Sequence, residues 1–495
     1  MKPSRNSGAP GPASGALDAP PRPEDERPPV RLMVLYGLQH ILAMYAGVVT
    51  PPLIVGGAVG LSATEMGVLI SAALLVSGLA TLVQTLGVWR FGARLPLVVG
   101  TSFVPVTAMV GIAGEGGLPA VFGASLAAGL FGLLIAPFFA SLIRFFPPVV
   151  TGSVIAVIGL SLIPVAVGWI TENAESGVPA PTGLGLAAAT LAVILVLSKV
   201  LPGVWNRMSI LLGLVLGTLL AAALGRVDFS SVSEGAMFSL GQPLRFGPPE
   251  FQIAAVVTMC LVMLVILTEG VADTLAVGEV VGTRMDGRRL GDALRADALS
   301  SVMGPLLNSF PGSTFSQNVG LIALSRVRSR YVVAVGALML VAMGLFPVLG
   351  RLVAVVPSPV LGGAGLVLFG SVAAAGIRSL SRVEYEGNHN HVVVAVSMAF
   401  GLVPVAAPAF YDGFPSWAAM ILHSGIVAAA VSALLLNAFF NMWGSSRDPA
   451  ASGAPEEGPS DGEPSGEHPP GEEAPDGESS HTRPPGGERK DPVPE

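Results

Sequence analysis

Two acids, Glu269 and Asp273, stand four residues apart in "ILTEGVADTLAVGEVVG", directly after an uninterrupted apolar run. That spacing puts both carboxylates on one face of a helix. An ionisable side chain inside an apolar span is costly and marks a path for substrate or protons. The plainer reading ends the helix at Glu269 in an interfacial layer. Apolar residues resume through "TLAVGEVVG", however, before the basic "RMDGRR". Glu269 and Asp273 are therefore candidates for a substrate or proton pathway. Glu279, nearer the arginines, reads as a solvated or capping charge. Asp297, in "ALRADALSSVMG", is either a helix-start acid or a further proton-relay group.

Amides and imidazoles supply the remaining candidates. The stretch "GSTFSQNVGLIALSR", Gly312 to Arg326, interrupts the apolar pattern with small and hydroxyl residues and the amide pair Gln317–Asn318. Gln39 and His40 lie in the first apolar segment, "YGLQHILAMYAGVVTPPL". A lone buried histidine is more often a hydrogen-bonded structural residue than a proton carrier. His389 and His391, in "EGNHNH", read as solvated loop residues, and His423 has no partner in sequence. Cys260 stands alone, so neither a disulfide framework nor a cysteine metal site can form within the chain.

Helices in a membrane must position these groups. Hydrophobic residues make up 52% of the chain and charged residues 12%, against about 25% charged in a soluble domain. The mean hydropathy is +0.69. Fourteen hydrophobic segments start near Leu32, Glu65, Leu95, Leu118, Val149, Gly183, Met208, Phe251, Leu294, Gln317, Tyr331, Pro359, His391 and Trp417. Many approach the roughly 20 residues that a spanning helix needs. With the N-terminus inside, cytoplasmic loops hold Arg90, Arg94, Arg284, Arg288, Arg289, Arg328, Arg330, Arg378 and Arg382, among others. The outside holds Arg226, Arg245 and Arg351. This positive-inside bias predicts cytoplasmic termini. Residues 1–30 and 444–495, rich in Pro and Gly and acidic at the C-terminal end, cannot bury enough apolar surface and are expected to be disordered. The N-terminus has no early apolar core of a signal peptide.

An internal repeat points to the class of machine. "GTSF" at Gly100 matches "GSTF" at Gly312, 212 positions later, and "PVVTG" at Pro148 matches "PVLGG" at Pro359, 211 positions later. Each match alone is weak; the shared offset carries the weight. Seven segments separate the copies, so the two halves run in opposite directions across the membrane. Inverted repeats with interrupted segments at corresponding positions mark secondary transporters and their binding sites. Non-helical backbone at membrane depth survives only where it is buried in protein or lines a cavity. Thr101–Phe103 and Ser313–Phe315 are thus expected to be short extended segments. They would feed half-helices and pair near the midplane, with helix N-termini facing a ligand.

The motifs "LQHILAMYAG", "LPLVVGTSF", "TEGVAD" and "FSQNVGLIALSR" resemble those of the nucleobase–ascorbate transporter family, in order across the whole membrane body. The family signature has an acidic or amide residue, then Asn, any residue and Gly, then four residues, Thr and a basic residue or Gly. It reads here as Gln317, Asn318, Val319, Gly320, four residues, Ser325 and Arg326, with Ser replacing Thr. The resemblance implies an all-α polytopic membrane protein. Its fourteen segments would form a seven-plus-seven inverted repeat, with a short β-strand before half-helices three and ten. A core domain (about 31–145 and 251–355) would move substrate against a gate domain (about 146–250 and 356–443) in an elevator-like homodimer. It also implies that Glu269 accepts N–H groups of the base and that Phe103 stacks on its face. Ser316 and Gly47 would offer backbone contacts, Gln317 would bond a second edge, and His40 would support the network. Gln39, Asn318, Asp273 and Asp297 are expected to belong to the same site and its proton-coupling support.

Two departures bear on substrate. Uracil-type members have Glu where this chain has Gln317, and the Gln form is similar to xanthine and urate carriers. A primary amide offers a donor and an acceptor side by side, matching a lactam edge, whereas a carboxylate only accepts. In "TEGVAD", Ala272 replaces the commoner Gly, and Asp273 stands where uracil-type members have His. The expectation is an inner-membrane, proton-coupled symporter of xanthine or urate, with uracil or another nucleobase as the alternative. Protons, the base, the bilayer and a second copy are the expected partners; no cofactor, metal or nucleic acid is. An anion carrier of the related sulfate/bicarbonate architecture would want cationic or neutral half-helix ends, against which Glu269 argues. An intramembrane enzyme has no nucleophile–base or metal constellation here, and a non-transporting scaffold remains the third class.

Overall fold

Apolar runs separated by Gly, Pro and polar residues fold into helices whose ends follow those separators. The structure is a computed structural model and describes residues 22–139, 146–172, 178–233, 238, 242–386 and 388–442. Residues 1–21 of the expected arm and the expected tail at 444–495 lie outside the described residues. In chain order come α1 (Val30–Ala58), α2 (Ala63–Leu86), β1 (Val99–Thr101), α3 (Val106–Ile135), α4 (Pro148–Ser161), α5 (Ile163–Ile170), α6 (Pro181–Val200) and α7 (Ser209–Ala223). The second half holds α8 (Ile253–Val281), α9 (Gly287–Leu306), β2 (Gly312–Thr314), α10 (Ser316–Ser325), α11 (Arg330–Gly344), α12 (Pro347–Ala354), α13 (Ser358–Leu380), α14 (Asn390–Ala406), α15 (Ser416–His423) and α16 (Gly425–Asn437).

Local chemistry explains the boundaries. Ser62 and Glu65 form a capping box that starts α2. α8 stops at Gly282, whose φ of 82° is the left-handed conformation that closes a helix. Gly117 breaks α3 at φ 65° and ψ −168°, two residues before Pro119, so one bent helix contains two of the expected segments.

Among the described residues, seven helical units are long and apolar enough to cross a membrane: α1, α2, α3, the α4–α5 run, α6, α8 and α13. The α11–α12 pair, bent by 79°, makes an eighth. The chain is a multi-pass helical membrane protein. Fewer units qualify than the fourteen segments expected. α3 merges two segments, α7, α14 and α16 are apolar but short, and two segments begin as strands.

The helices pack in two groups. In one, α2 and α1 lie on α11, while α3 lies on α8 and α9. In the other, α13 packs on α4, α5 and α6, while α14 and α16 pack on each other and on α4. Small residues allow the tightest approach. A Cβ on Gly159 of α4 would sit 2.2 Å from the Ala373 backbone nitrogen, and one on Gly376 of α13 would sit 2.2 Å from that of Ala156.

β1 and β2 pair antiparallel, with Val99 opposite Thr314, Gly100 opposite Ser313 and Thr101 opposite Gly312. The expected pairing of the two "G-S/T-F" copies is present, but each strand sits earlier than expected. Phe103 accepts the N–H of Val106 as the chain turns into α3, and Phe315 is the N-cap of α10. Both rings therefore follow their strands. The outer edges are satisfied by helix side chains, as a strand without water requires. The Thr81 hydroxyl accepts from Val99 N–H and donates to Val99 O, both at 3.0 Å. Ser301 donates to Gly312 O at 3.3 Å.

The end of the expected arm is held on these helices. Glu24, 1% exposed, pairs with Arg289 at 2.9 Å, and Asp25 pairs with Arg330 at 2.7 Å. Arg289 also donates to the carbonyls of Ala93 and Arg94, tying the turn before β1 to the start of α9.

Candidate functional site

The helix α8 brings Glu269 and Asp273 into the space beside the strand pair, one turn apart as their spacing predicts. Asp273 is buried and accepts a hydrogen bond from the Ser316 hydroxyl at 2.8 Å. This bond joins α8 to the first turn of α10, so the expected juxtaposition of the acid pair and the half-helix is present. Glu269 is half-buried and makes no hydrogen bond among the described residues.

Asp297 is fully buried on α9, and both its oxygens accept from the Thr314 hydroxyl at 3.1 Å. The Gln84 amide lies 3.4 Å from one of them, and Gln84 Oε1 accepts the Ala93 N–H at 3.1 Å. Asp297 is thus no helix-start acid. It fits against α8 because residue 270 has no side chain: a Cβ there would lie 2.7 Å from Asp297 Oδ2.

A second cluster is aromatic. The Phe315 ring fills the space where side chains would grow from Gly47 and Gly100, at 2.5 and 2.4 Å from their absent Cβ positions. Phe103 lies beside Gly47, 3.7 Å from the same absent Cβ position, and its ring meets the edge of Phe369 on α13 at a centroid distance of 6.3 Å. Gly47 therefore makes room for a ring.

The third cluster is polar and buried. The Asn318 amide and His40 Nδ1 form a hydrogen bond at 2.9 Å. Asn318 Oδ1 and Gln39 Oε1 are buried without a hydrogen-bond partner among the described residues. Gln317 is half-buried in the first turn of α10.

A narrow crevice lies where α8 faces α4, lined by Glu269, Thr268, Val265, Val104, Thr151 and Val154 among others. Of the expected contacts, Glu269 lines it directly; Gln317, Phe103 and Ser316 do not. The reading of the sequence missed Phe315, Thr314 and Gln84. Phe315 had a signal, because the repeat that singled out Phe103 sets Phe315 at the corresponding place. Gln84 had none, since its partner is more than two hundred positions away.

A family model described as a permease family matches residues 31–410. The chain belongs to this family, that of the nucleobase–ascorbate transporters. It is 42% identical to the uric acid permease PucK of Bacillus subtilis (strain 168) over 417 residues, 83% of this chain and 96% of that one. It is 38% identical to the xanthine permease of the same organism over 412 residues, 83% and 94% of the two chains. Among solved structures, the transmembrane domain of the cyanobacterial bicarbonate transporter BicA superposes with a TM-score of 0.57 at 16% identity, covering 83% of this chain and 99% of that one. That likeness is one of fold. Members of the family are permeases, not enzymes.

Proposed function

We propose that the chain is a secondary active transporter that carries a purine nucleobase, xanthine or urate, together with protons. The observation that carries this reading is Glu269, a carboxylate without a hydrogen-bond partner among the described residues, facing an apolar crevice between the two helix groups. An acceptor of that kind is matched by a ligand offering N–H groups. The relatives named for uric acid and xanthine support the substrate class, and Gln317 supports an oxidised purine over uracil.

In this reading the N–H edge of the base meets Glu269, and Phe103 with Phe315 forms its aromatic wall. Ser316 and Gly47 offer backbone groups, and Gln317 meets a lactam edge. Asp273, Asp297 and the His40–Asn318 pair, with Gln39, hold the half-helices and pass the proton. The helix group of α1–α3 and α8–α12 acts as the core, and that of α4–α7 and α13–α16 as the gate. The core moves against the gate as an elevator within a homodimer. Fourteen segments cross the inner membrane, and both termini are cytoplasmic.

The test is uptake of radiolabelled urate and xanthine into proteoliposomes with and without an inward proton gradient. Gradient-stimulated uptake of either base is expected. Binding and uptake of neither would refute the reading, and uptake indifferent to the gradient would refute the coupling.

A further inference from the structure

We propose that Thr151 is a specificity-determining residue, its hydroxyl donating to an oxo group on the imidazole edge of the purine, so that the site favours urate over xanthine. This rests on the transport reading above and adds to it the group that tells one oxidised purine from another.

The face of α4 toward the crevice consists of Val150, Thr151, Val154, Ile155 and Ile158, spaced as one side of a helix. Thr151 is the polar member of that face. The rotation of α4 is fixed from behind, where Gly152 and Gly159 lie against Leu380 and Ala373 of α13. Thr151 stands in the first of the repeated "PVVTG"/"PVLGG" motifs. The corresponding residue in the second is Gly362, which packs against the backbone of Ala166 and offers no side chain. The two halves of the repeat thus differ at this position by a hydroxyl-bearing side chain that reaches the crevice.

Among the described residues that line the crevice, three carry polar side chains: Glu269, Thr268 and Thr151. The Thr268 hydroxyl donates to Leu264 O at 2.7 Å, so its proton is committed. Thr151 Oγ1 lies 3.5 Å from each of two carbonyls, those of Pro147 and Pro148. Good O–H···O bonds are about 2.7–2.8 Å, so neither carbonyl holds this proton well. Thr151 is therefore the hydroxyl donor available to a ligand from the α4 side. Glu269, across the crevice, only accepts.

A planar ligand between them must present N–H groups toward α8 and an acceptor toward α4. Urate does so if its pyrimidine edge meets Glu269, because its imidazole ring carries an oxo group. Xanthine has a C–H at that carbon.

The measurement is competition between urate and xanthine for binding to the purified full chain, in wild type, Thr151→Val and Thr151→Ser. Valine keeps the shape and removes the hydroxyl, whereas serine keeps the hydroxyl and removes the methyl. The urate-to-xanthine affinity ratio is expected to fall about tenfold in Thr151→Val, the scale on which a lost hydrogen bond to substrate is read, and to recover most of that loss in Thr151→Ser. Should Thr151→Val not fold, Thr151→Ala gives the same comparison. An unchanged ratio in the variant lacking the hydroxyl would overturn the proposal. So would equal loss in Thr151→Ser and Thr151→Val, which would make the methyl group and not the hydroxyl responsible. Wild-type chain that binds neither base would instead sink the transport reading itself, and this inference with it.

Discussion

The hydroxyl of Thr314, on the strand that precedes α10, lies 3.1 Å from both carboxylate oxygens of Asp297 on α9. A buried carboxylate is thereby tied to the strand pair, and the strand pair to α9, in an interior where an unpaired polar group is costly. Asp297→Ala leaves the Thr314 hydroxyl without its acceptor. A buried donor left without its acceptor costs roughly 1–3 kcal/mol, so a clear fall in the thermal midpoint of the detergent-purified protein is expected, together with loss of transport. An unchanged midpoint would mean that the strand pair is held by its backbone bonds alone.

Glu269→Gln keeps the size of the side chain but replaces one acceptor oxygen by a donor. If the base presents N–H groups there, a charge-assisted bond worth roughly 1.5–3 kcal/mol is lost, at least a tenfold fall in affinity. Calorimetric titration of urate and xanthine reads this directly. Wild-type affinity in a well-inserted mutant would remove Glu269 from the site.

The burial of the strands makes a labelling prediction. Thr101, Ser102 and Ser313 are at most 4% exposed, whereas Ser316 is exposed. In a background lacking Cys260, cysteine at Ser316 should react with a small polar thiol reagent and be slowed by substrate. Cysteines at the other three positions should react far more slowly. Rapid labelling at Ser313 would show that the chain spends much of its time in a different arrangement.

Gly47 and Gly100 leave the space that the Phe315 ring occupies. Alanine at Gly47 would bring a Cβ within 2.5 Å of Phe315 Cε1, so the ring must move. Overpacking of this kind typically costs about 1–3 kcal/mol. Gly47→Ala should weaken base binding, and the double variant Gly47→Ala/Phe315→Leu should recover part of it. No recovery would place the defect in α1 itself.

Gln317→Glu exchanges a donor for an acceptor and, if residue 317 faces the base, adds a second carboxylate beside it. Xanthine and urate affinity should fall most at alkaline pH, where both acids are ionised, and preference should drift toward bases with two N–H groups on that edge, such as uracil. Binding of the three bases across pH checks this. Identical affinities in both proteins at every pH would mean that Gln317 faces away from the base.

Much of this protein follows from the chain itself. The low charge and the apolar runs require membrane helices, because no other structure satisfies the backbone in lipid. The repeat offset between "GTSF" and "GSTF" predicted that two interrupted segments would meet, and the four-residue step from Glu269 to Asp273 placed both acids on one helix face. Such features depend on local spacing, which sequence carries.

Tertiary structure alone decided which distant groups touch. Nothing near Gln84 announces Asp297, nothing near Gly47 announces the Phe315 ring, and nothing near Thr151 announces a crevice shared with Glu269. Each of these depends on how far α2, α1 or α4 is rotated and shifted against its neighbours. That rotation is set by close approaches between helices, such as Gly159 on Ala373, whose partners lie far apart along the chain and whose small residues look alike wherever they occur.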